Sequence, residues 1–156
     1  MAIRETLALV GNPNSGKTTL FNALTGAKQH IGNWLGVTVE RKSGRLKADN
    51  ALVIQDLPGT YSLSPYSSEE IVTRDFLLND QPDLVLNVVD ATNLERNLYL
   101  TLQVMETGRP LIVALNMMDV LVKTGHRTIN LKKLSYALQV PVIATTATKP
   151  AALQEL

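Results

Sequence analysis

One short segment has the residue types and the spacing of a phosphate-binding loop. Residues 11–18 read GNPNSGKT and fit the pattern G-x-x-x-x-G-K-[ST]. In such a glycine-rich turn, successive backbone N–H groups face inward and hold phosphate oxygens, and the following helix adds its positive end. We expect Lys17 to contact the β- and γ-phosphates of a nucleoside triphosphate and the Thr18 hydroxyl to complete a magnesium shell. The predicted nucleotide contacts of this segment, which we call the phosphate loop, and of its flank are Gly11, Asn12, Asn14, Ser15, Gly16, Lys17, Thr18 and Thr19.

Three further residues are candidates for sensing the metal ion and the γ-phosphate. Asp56 and Gly59 belong to the run DLPG, which follows a predicted strand. An aspartate at this point can hold magnesium through water, and a glycine lets its own N–H approach the γ-phosphate. Thr38 lies between the two motifs and is the candidate for a threonine that closes on magnesium and the γ-phosphate. We therefore predict catalytic roles for Lys17, Thr38 and Gly59, and magnesium ligation by Thr18, Thr38 and Asp56.

A third motif, NMMD at residues 116–119, follows another predicted strand and is the candidate base site. The Asp119 carboxylate can accept hydrogen bonds from N1–H and the 2-amino group of guanine. Adenine lacks that donor pair and would leave the carboxylate desolvated and unpaired, so the site is predicted to select guanine. We expect Asn116 to tie this segment to the phosphate loop and Met117 to lie over the purine. Thr146 and Ala147, after the last predicted strand, are candidates for a loop whose N–H groups meet the guanine oxygen.

Strands and helices alternate along the chain. Short apolar runs predict strands at residues 6–10, 51–55, 84–89, 111–115 and 140–145, and the more alternating run 36–46 predicts an edge strand. Helices are predicted at 17–25, 68–78, 94–107 and 131–138, with N-caps at Ser67 or Ser68 and at Asn130. In the third helix, Leu94, Leu98, Leu102 and Met105 have core spacing. The predicted fold is α/β, a mostly parallel six-stranded sheet with helices on both faces and one antiparallel edge strand.

Length and composition bound the remaining possibilities. The 156 residues suit a single domain, and a formal charge of +1 gives no electrostatic support for a nucleic-acid partner. The absence of cysteine excludes disulfides and thiol catalysis. No apolar run approaches the roughly 20 residues that cross a bilayer, so we expect a soluble chain. A helical pattern begins at 151–156, and we expect the domain, residues 1–156, to be cut within its last helix.

The order and spacing of these motifs resemble the Ras-like P-loop GTPases over the whole chain. Longer runs are similar, more narrowly, to the cytosolic G domain of the FeoB family of bacterial ferrous-iron transport proteins. Those runs are GNWLGVTVERK at 32–42, DLPGTYSL at 56–63, NVVDATNLERNLYL at 87–100 and ALNM at 114–117. They extend beyond the nucleotide motifs that all Ras-like domains share, so they are the more specific sign.

The FeoB resemblance implies a GTPase switch joined by a helical spacer to a membrane domain that transports ferrous iron, at the cytoplasmic face of the bacterial inner membrane. It also implies stimulation by potassium, with Asn14 coordinating K⁺ beside backbone carbonyls around 34–36. Two positions depart from the Ras-like pattern. Met117 replaces a lysine, and Thr60 and Tyr61 stand where a water-orienting glutamine is common, so we expect slow hydrolysis.

Two other functions stay open on the sequence. One is a ribosome- or tRNA-associated, potassium-dependent GTPase, against which the near-neutral charge and the 32–42 run argue. The other is a regulatory module that exchanges GTP and GDP with negligible hydrolysis, which the missing glutamine allows. His30 and His126 are isolated and are not predicted to bind metal. Trp34 is left open between burial against the domain and contact with a partner.

Overall fold

The computed structural model describes residues 4–26, 29–125 and 127–146, and seven strands in these ranges form one sheet. The strands are β1 (Glu5–Gly11), β2 (Gln29–Asn33), β3 (Glu40–Arg45), β4 (Leu52–Asp56), β5 (Leu84–Asp90), β6 (Leu111–Asn116) and β7 (Val142–Ala144). Their order is β2-β3-β4-β1-β5-β6-β7. All pairs from β4 to β7 are parallel, whereas β3 is antiparallel to both β2 and β4.

Helices cover both faces of this sheet, as predicted. They are α1 (Lys17–Thr25), α2 (Ser68–Asp75), α3 (Leu94–Glu106), α4 (Met118–Gly125) and α5 (Leu131–Leu138), with a π-helical segment, Phe76–Asp80, directly after α2. Leu7 and Leu9 of β1 pack with α1, whereas Ala8 and Val10 pack with α3 and the π-helical segment on the opposite face. This alternation buries β1 on both sides, which accounts for its continuous apolar sequence.

The predicted helix caps are confirmed. The Ser67 hydroxyl accepts from the Glu70 N–H at 3.1 Å, and the Asn130 side chain accepts from the Lys133 N–H at 3.0 Å. Each bond satisfies a backbone donor that the first turn of a helix leaves without a partner. The polar residues that precede the two amphipathic helices, Ser67 and Asn130, therefore determine where α2 and α5 begin.

The α/β class is confirmed, but several details of the prediction are wrong. The sheet has seven strands rather than six, because the exposed β2 pairs with β3 through its backbone and carries no apolar pattern. The predicted edge strand at 36–46 begins only at Glu40 and lies second from the edge. Helix α4 was not predicted, and the 68–78 helix changes to π geometry at Phe76.

Helix α3 buries more than the predicted face. Leu94, Leu98 and Met105 pack against the core as predicted, but Leu102 is 51% exposed. Asn97 and Thr101 are buried beside Leu100 and Val104. The buried polar pair is satisfied inside the fold, since Asn97 Oδ1 accepts from the Asp90 N–H at 3.1 Å. The predicted helical pattern at 151–156 lies outside the described residues. No helix within the described ranges is long and apolar enough to cross a membrane.

The topology brings the predicted motifs to one edge of the sheet. Gly11, Asp56 and Asn116 are the last residues of β1, β4 and β6. Parallel strands place their carboxyl ends at the same edge, where ligands bind in open α/β sheets. The functional site is therefore expected at this edge.

Candidate functional site

The phosphate loop has a backbone conformation that requires glycine at position 16. It runs from the end of β1 to the start of α1, with positive φ angles of 64° at Asn14 and 90° at Gly16. A Cβ atom at Gly16 would lie 2.1 Å from Asn116 Nδ2, so only glycine fits this position. Ser15 is 1% exposed, and its N–H donates to Asn12 O at 3.2 Å. The loop is thus shaped by backbone geometry and by contact with β6.

Lys17, the first residue of α1, and Asp56, the last residue of β4, form a buried ion pair. The Lys17 ammonium donates to the Asp56 carboxylate, and the two residues are 8% and 7% exposed. Burial raises the pKa of the Asp56 carboxyl above its ordinary value, and the adjacent Lys17 ammonium opposes this shift. A desolvated pair of this kind is costly unless its charges have further partners. Phosphate oxygens for Lys17 and a cation for Asp56 would be suitable partners.

The oxygen atoms near this pair suit magnesium. Thr18, Thr38 and Asp56 offer hydroxyl and carboxylate oxygens, the hard ligands that Mg²⁺ prefers. Within the described residues, no group of three or more histidine or acidic side chains could hold a metal ion. A single carboxylate is nevertheless enough where phosphates and water complete the shell, as is usual for magnesium with nucleotides. The donor set therefore fits magnesium bound together with a phosphate ligand.

Two cavities meet at Lys17. One, of about 490 Å³, lies over the phosphate loop and is lined by Asn12, Pro13, Asn14, Gly16, Lys17, Thr18, Thr19, Gly59 and Met117. The other, of about 270 Å³, contains Lys17, Thr38 and Asp56 among its lining residues. The structure thus brings together the predicted phosphate, magnesium and γ-phosphate residues.

The segment after β4 is tied to the phosphate loop. The Thr60 N–H donates to Gly11 O at 3.1 Å, and a Cβ atom at Gly59 would approach the Pro13 backbone at 3.2 Å. Glycine at position 59 avoids this tight contact and favours the close approach. Gly59 consequently lies beside the loop, where its N–H can face a phosphate.

The predicted base segment also contacts the phosphate loop. Asn116 is 3% exposed, and its Nδ2 donates to Ser15 O at 3.0 Å. Met117 has a φ of 63° and lines the phosphate-loop cavity, whereas Asp119 lies half-buried in the first turn of α4. Asp119 and Thr146 do not line that cavity, and Ala147 lies outside the described residues. The structure therefore joins Asn116 and Met117 to the phosphate side and places Asp119 beyond them.

Sequence reasoning missed three charged residues of the smaller cavity, Glu40, Lys42 and Glu69. No nucleotide-binding motif includes any of them. Lys42 pairs with Asp56 in the β3–β4 register, so a correct pairing of these strands would have revealed it. Glu69 lies in the first turn of α2. The sequence alone does not show that the segment between β4 and α2 brings this turn to the cavity.

A larger cavity, of about 870 Å³, lies between the start of α3 and residues 127–129. None of the predicted site residues lines it. Most of the predicted site residues instead line the two smaller cavities, where a lysine, an aspartate and a glycine-rich loop converge. We therefore assign the functional site to the carboxyl edge of the sheet.

The sheet order, the phosphate loop and the segments that surround it define a P-loop GTPase fold. The family model of Ferrous iron transport protein B matches residues 5–156, so the chain belongs to this family as its N-terminal G domain. The family resemblance inferred from the sequence is thereby confirmed.

The chain is similar to known members of this family from several bacteria. It is 53% identical to the Fe(2+) transporter FeoB of Shigella flexneri, over 97% of this chain and 20% of that protein. A crystal structure of a mutant S. thermophilus NFeoB bound to GDP has a TM-score of 0.93 at 61% identity, covering 97% of this chain and 59% of that one. The cytosolic domain of L. pneumophila FeoB gives 0.88 at 47%, with coverages of 96% and 61%. The chain spans about a fifth of the length of the curated relatives it matches.

Proposed function

We propose that this domain binds GTP and hydrolyses it slowly, with stimulation by potassium, as the switch of a ferrous-iron transport system. The observation that carries the proposal is the buried Lys17–Asp56 pair at the mouth of the phosphate loop, with Asn116 fastening the base segment to that loop. A related structure, from S. thermophilus, is described as bound to GDP, which supports guanine nucleotide as the ligand.

The phosphate groups would be held mainly by the phosphate loop. Its backbone N–H groups and the start of α1 offer donors, and Lys17 would bridge the β- and γ-phosphates. Thr18, Thr38 and Asp56 would hold magnesium, which when bound neutralises phosphate charge as a Lewis acid. Gly59 would present its N–H to the γ-phosphate. Binding of the triphosphate would thus exchange the Lys17–Asp56 contact for separate partners of opposite charge.

Potassium stimulation rests on Asn14. This side chain lines the phosphate-loop cavity, and its backbone has the positive φ of 64° noted above. Asn14, with carbonyls around 34–36, would hold K⁺. The ion would supply beside the phosphates the positive charge that an arginine finger supplies in other GTPases.

Slow hydrolysis follows from the residues after Gly59. Thr60 is 3% exposed and lies against the phosphate loop, whereas Tyr61 is 45% exposed with the Arg96 guanidinium 4.3 Å from its ring centroid. Neither side chain replaces a glutamine that orients water. We therefore assign the positioning of the attacking water to backbone groups, which leaves the domain a weak hydrolase without its activating cation.

Single-turnover hydrolysis of GTP, compared in potassium and in sodium at equal ionic strength, tests the catalytic part. We expect a faster turnover in potassium, by at least about tenfold. Equal and negligible rates in both salts, with GTP bound, would instead favour the regulatory module that only exchanges nucleotides. The ribosome-associated alternative has lost its support, because the family match extends over residues 5–156.

The base assignment is tested with Asp119→Asn. An amide donates where guanine also donates, so the preference should move from GTP toward XTP, by about a hundredfold in the affinity ratio. Displacement of a fluorescent nucleotide by GTP and XTP measures this ratio. Unchanged selectivity would remove Asp119 from the base site.

Iron transport is proposed for the full-length protein and not for this domain alone. The expected partners are a helical spacer and a membrane domain of the full-length chain, with this domain at the cytoplasmic face of the bacterial inner membrane. Full-length protein carrying Lys17→Ala should fail to restore ferrous-iron uptake in cells that lack the transporter. Normal uptake at equal expression would separate GTP turnover from transport.

A further inference from the structure

The single tryptophan of the chain links the segment that carries Thr38 to the π-helical segment after α2. The Trp34 ring packs edge-on against Phe76, with ring centroids 5.7 Å apart and an interplanar angle of 72°. The Arg41 guanidinium lies 4.6 Å from the centroid of the Trp34 ring. Phe76 is 6% exposed within the core cluster formed by the π-helical segment, α3 and the sheet. The indole is therefore held between the core and a cation.

Residues 34–39, which we call the Thr38 loop, are closed at their base by Trp34. The Trp34 N–H donates to Val39 O at 2.9 Å, and the Val37 N–H donates to Trp34 O at 3.3 Å. Gly36 has a φ of 77° at the third position of this turn, as a type II turn requires. Val39 is buried, whereas Leu35 is 97% exposed. The base of the loop is thus anchored, and its tip lies in solvent.

Thr38 lies next to the anchored base and is itself exposed. It lines the 270 Å³ cavity together with Lys17 and Asp56. Because Val39 follows it directly, the direction of the Thr38 hydroxyl depends on how the loop base is fixed. The base is fixed by the two hydrogen bonds described above and by the packing of the Trp34 ring.

The partner of Trp34 belongs to the segment that follows the DLPG motif. Phe76 begins the π-helical segment after α2, and such segments are frequent at functional sites. In α2, Thr73 Oγ1 donates to Pro58 O at 3.5 Å. The same helix therefore contacts the DLPG backbone and continues into the residue that packs on Trp34.

We propose that the Trp34 side chain is a positioning residue, which through its packing on Phe76 holds the Thr38 loop so that Thr38 faces Lys17 and Asp56. The inference rests on the proposed function, because it assigns Thr38 to the γ-phosphate and its metal ion. It adds a side-chain contact that links the Thr38 loop to the helix after DLPG.

The first test compares hydrolysis with binding. Trp34→Ala should slow single-turnover GTP hydrolysis at saturating magnesium and potassium by about tenfold, while GDP affinity stays within about twofold. Trp34→Phe keeps an aromatic ring on Phe76 and should restore most of the rate. Ile31→Ala, on the 67%-exposed Ile31 of β2, is the matched control and should leave the rate unchanged. A wild-type rate in Trp34→Ala would overturn the proposal.

The second test separates positioning from general stability. In a Thr38→Ala background, Trp34→Ala should slow hydrolysis no further, because it acts through Thr38. A further tenfold loss in that background would overturn the positioning role. Different results refute the two proposals. Wild-type protein that neither binds nor hydrolyses GTP refutes the proposed function. Normal wild-type hydrolysis, combined with additive effects of Trp34→Ala and Thr38→Ala on the rate, refutes only the role of Trp34.

Fluorescence gives a readout that does not depend on turnover. Trp34 is the only tryptophan, so its emission reports the packing of its ring alone. Phe76→Leu should shift the emission to longer wavelength and slow hydrolysis in the same direction as Trp34→Ala. Unchanged emission and an unchanged rate in a folded Phe76→Leu protein would contradict the contact.

Discussion

The phosphate loop, which contains Lys17, and the Thr38 loop border two cavities that meet at Lys17, and the two loops are held in different ways. In the phosphate loop, Gly16 occupies a backbone conformation that other residues avoid, and Ser15 O accepts from Asn116. The Thr38 loop is anchored at its base, with Trp34 on the core, Val39 buried and Leu35 97% exposed. The phosphate loop is shaped along its length by backbone geometry, whereas the Thr38 loop is held at its base.

The different anchoring of the two loops suits the two tasks of the proposed site, phosphate binding and hydrolysis. A loop fixed before the ligand arrives pays little to bind phosphate, since its donors are already oriented. A loop with a free tip can close on the γ-phosphate and open again after hydrolysis. Changes in the phosphate loop should therefore affect binding, and changes in the Thr38 loop should affect hydrolysis.

The largest effect is expected from Gly16→Ala. The added Cβ meets Asn116 Nδ2 at 2.1 Å and takes a φ of 90°, so the loop must leave its binding conformation. Strain of roughly 1–2 kcal/mol and a lost hydrogen bond of about 1 kcal/mol should lower nucleotide affinity about a hundredfold. Titration with a fluorescent GDP measures the loss.

Gly108→Ala is the control for that prediction. Gly108 has a φ of 75°, and an added Cβ would have no atom within 4 Å among the described residues. The variant should lose stability by roughly 1–2 kcal/mol from backbone strain and keep its affinity. Equal affinities for the Gly16 and Gly108 variants would show that the phosphate loop is not shaped for its ligand.

Thr38→Ala tests the other side of the comparison and should have an effect of comparable size, on hydrolysis rather than on binding. Hydrolysis should slow by about a hundredfold, as when one preorganised group at the reacting centre is removed. GDP affinity should change by no more than about twofold, because Thr38 does not line the phosphate-loop cavity. Thr38→Ser keeps the hydroxyl and should retain most of the rate. A parallel loss of GDP affinity would erase the distinction between the loops.

The smallest effect is expected from Asn14→Gly. Glycine tolerates the φ of 64° at this position, so the variant removes the amide without adding strain. The rate in sodium and the affinity should stay within about twofold, while the gain in potassium disappears. Rates in the two salts give the ratio directly. Persisting stimulation would place the cation elsewhere.

The sequence predicted those elements whose pattern follows from burial. Strands β1, β4, β5 and β6 were correctly placed because apolar residues face helices or the core from both sides. Strand β2 was missed because only its backbone defines it, and four of its five residues are exposed. Helix α3 was placed with most of its predicted face, but the burial of Asn97 and Thr101 was missed, because their polar partners leave no apolar pattern in the sequence.

In the site, too, local sequence patterns predict some residues and miss the contacts between distant ones. Lys17, Asp56 and Gly59 stand in motifs whose spacing reflects local backbone geometry, and the structure brings them together. Their functional roles, and those of Asp119 and Asn14, stay predictions. The contact between Trp34 and Phe76 joins residues far apart in sequence, so no local pattern could announce it.

Equilibrium binding of labelled GTP in the presence of magnesium tests the central claim most directly, with ATP as competitor and Lys17→Ala as the matched variant. We predict that wild-type protein binds GTP, that ATP fails to displace it, and that Lys17→Ala loses triphosphate affinity by at least about a hundredfold. Folded wild-type protein that ignores GTP at millimolar concentration, or a Lys17→Ala variant with unchanged affinity, would contradict the account.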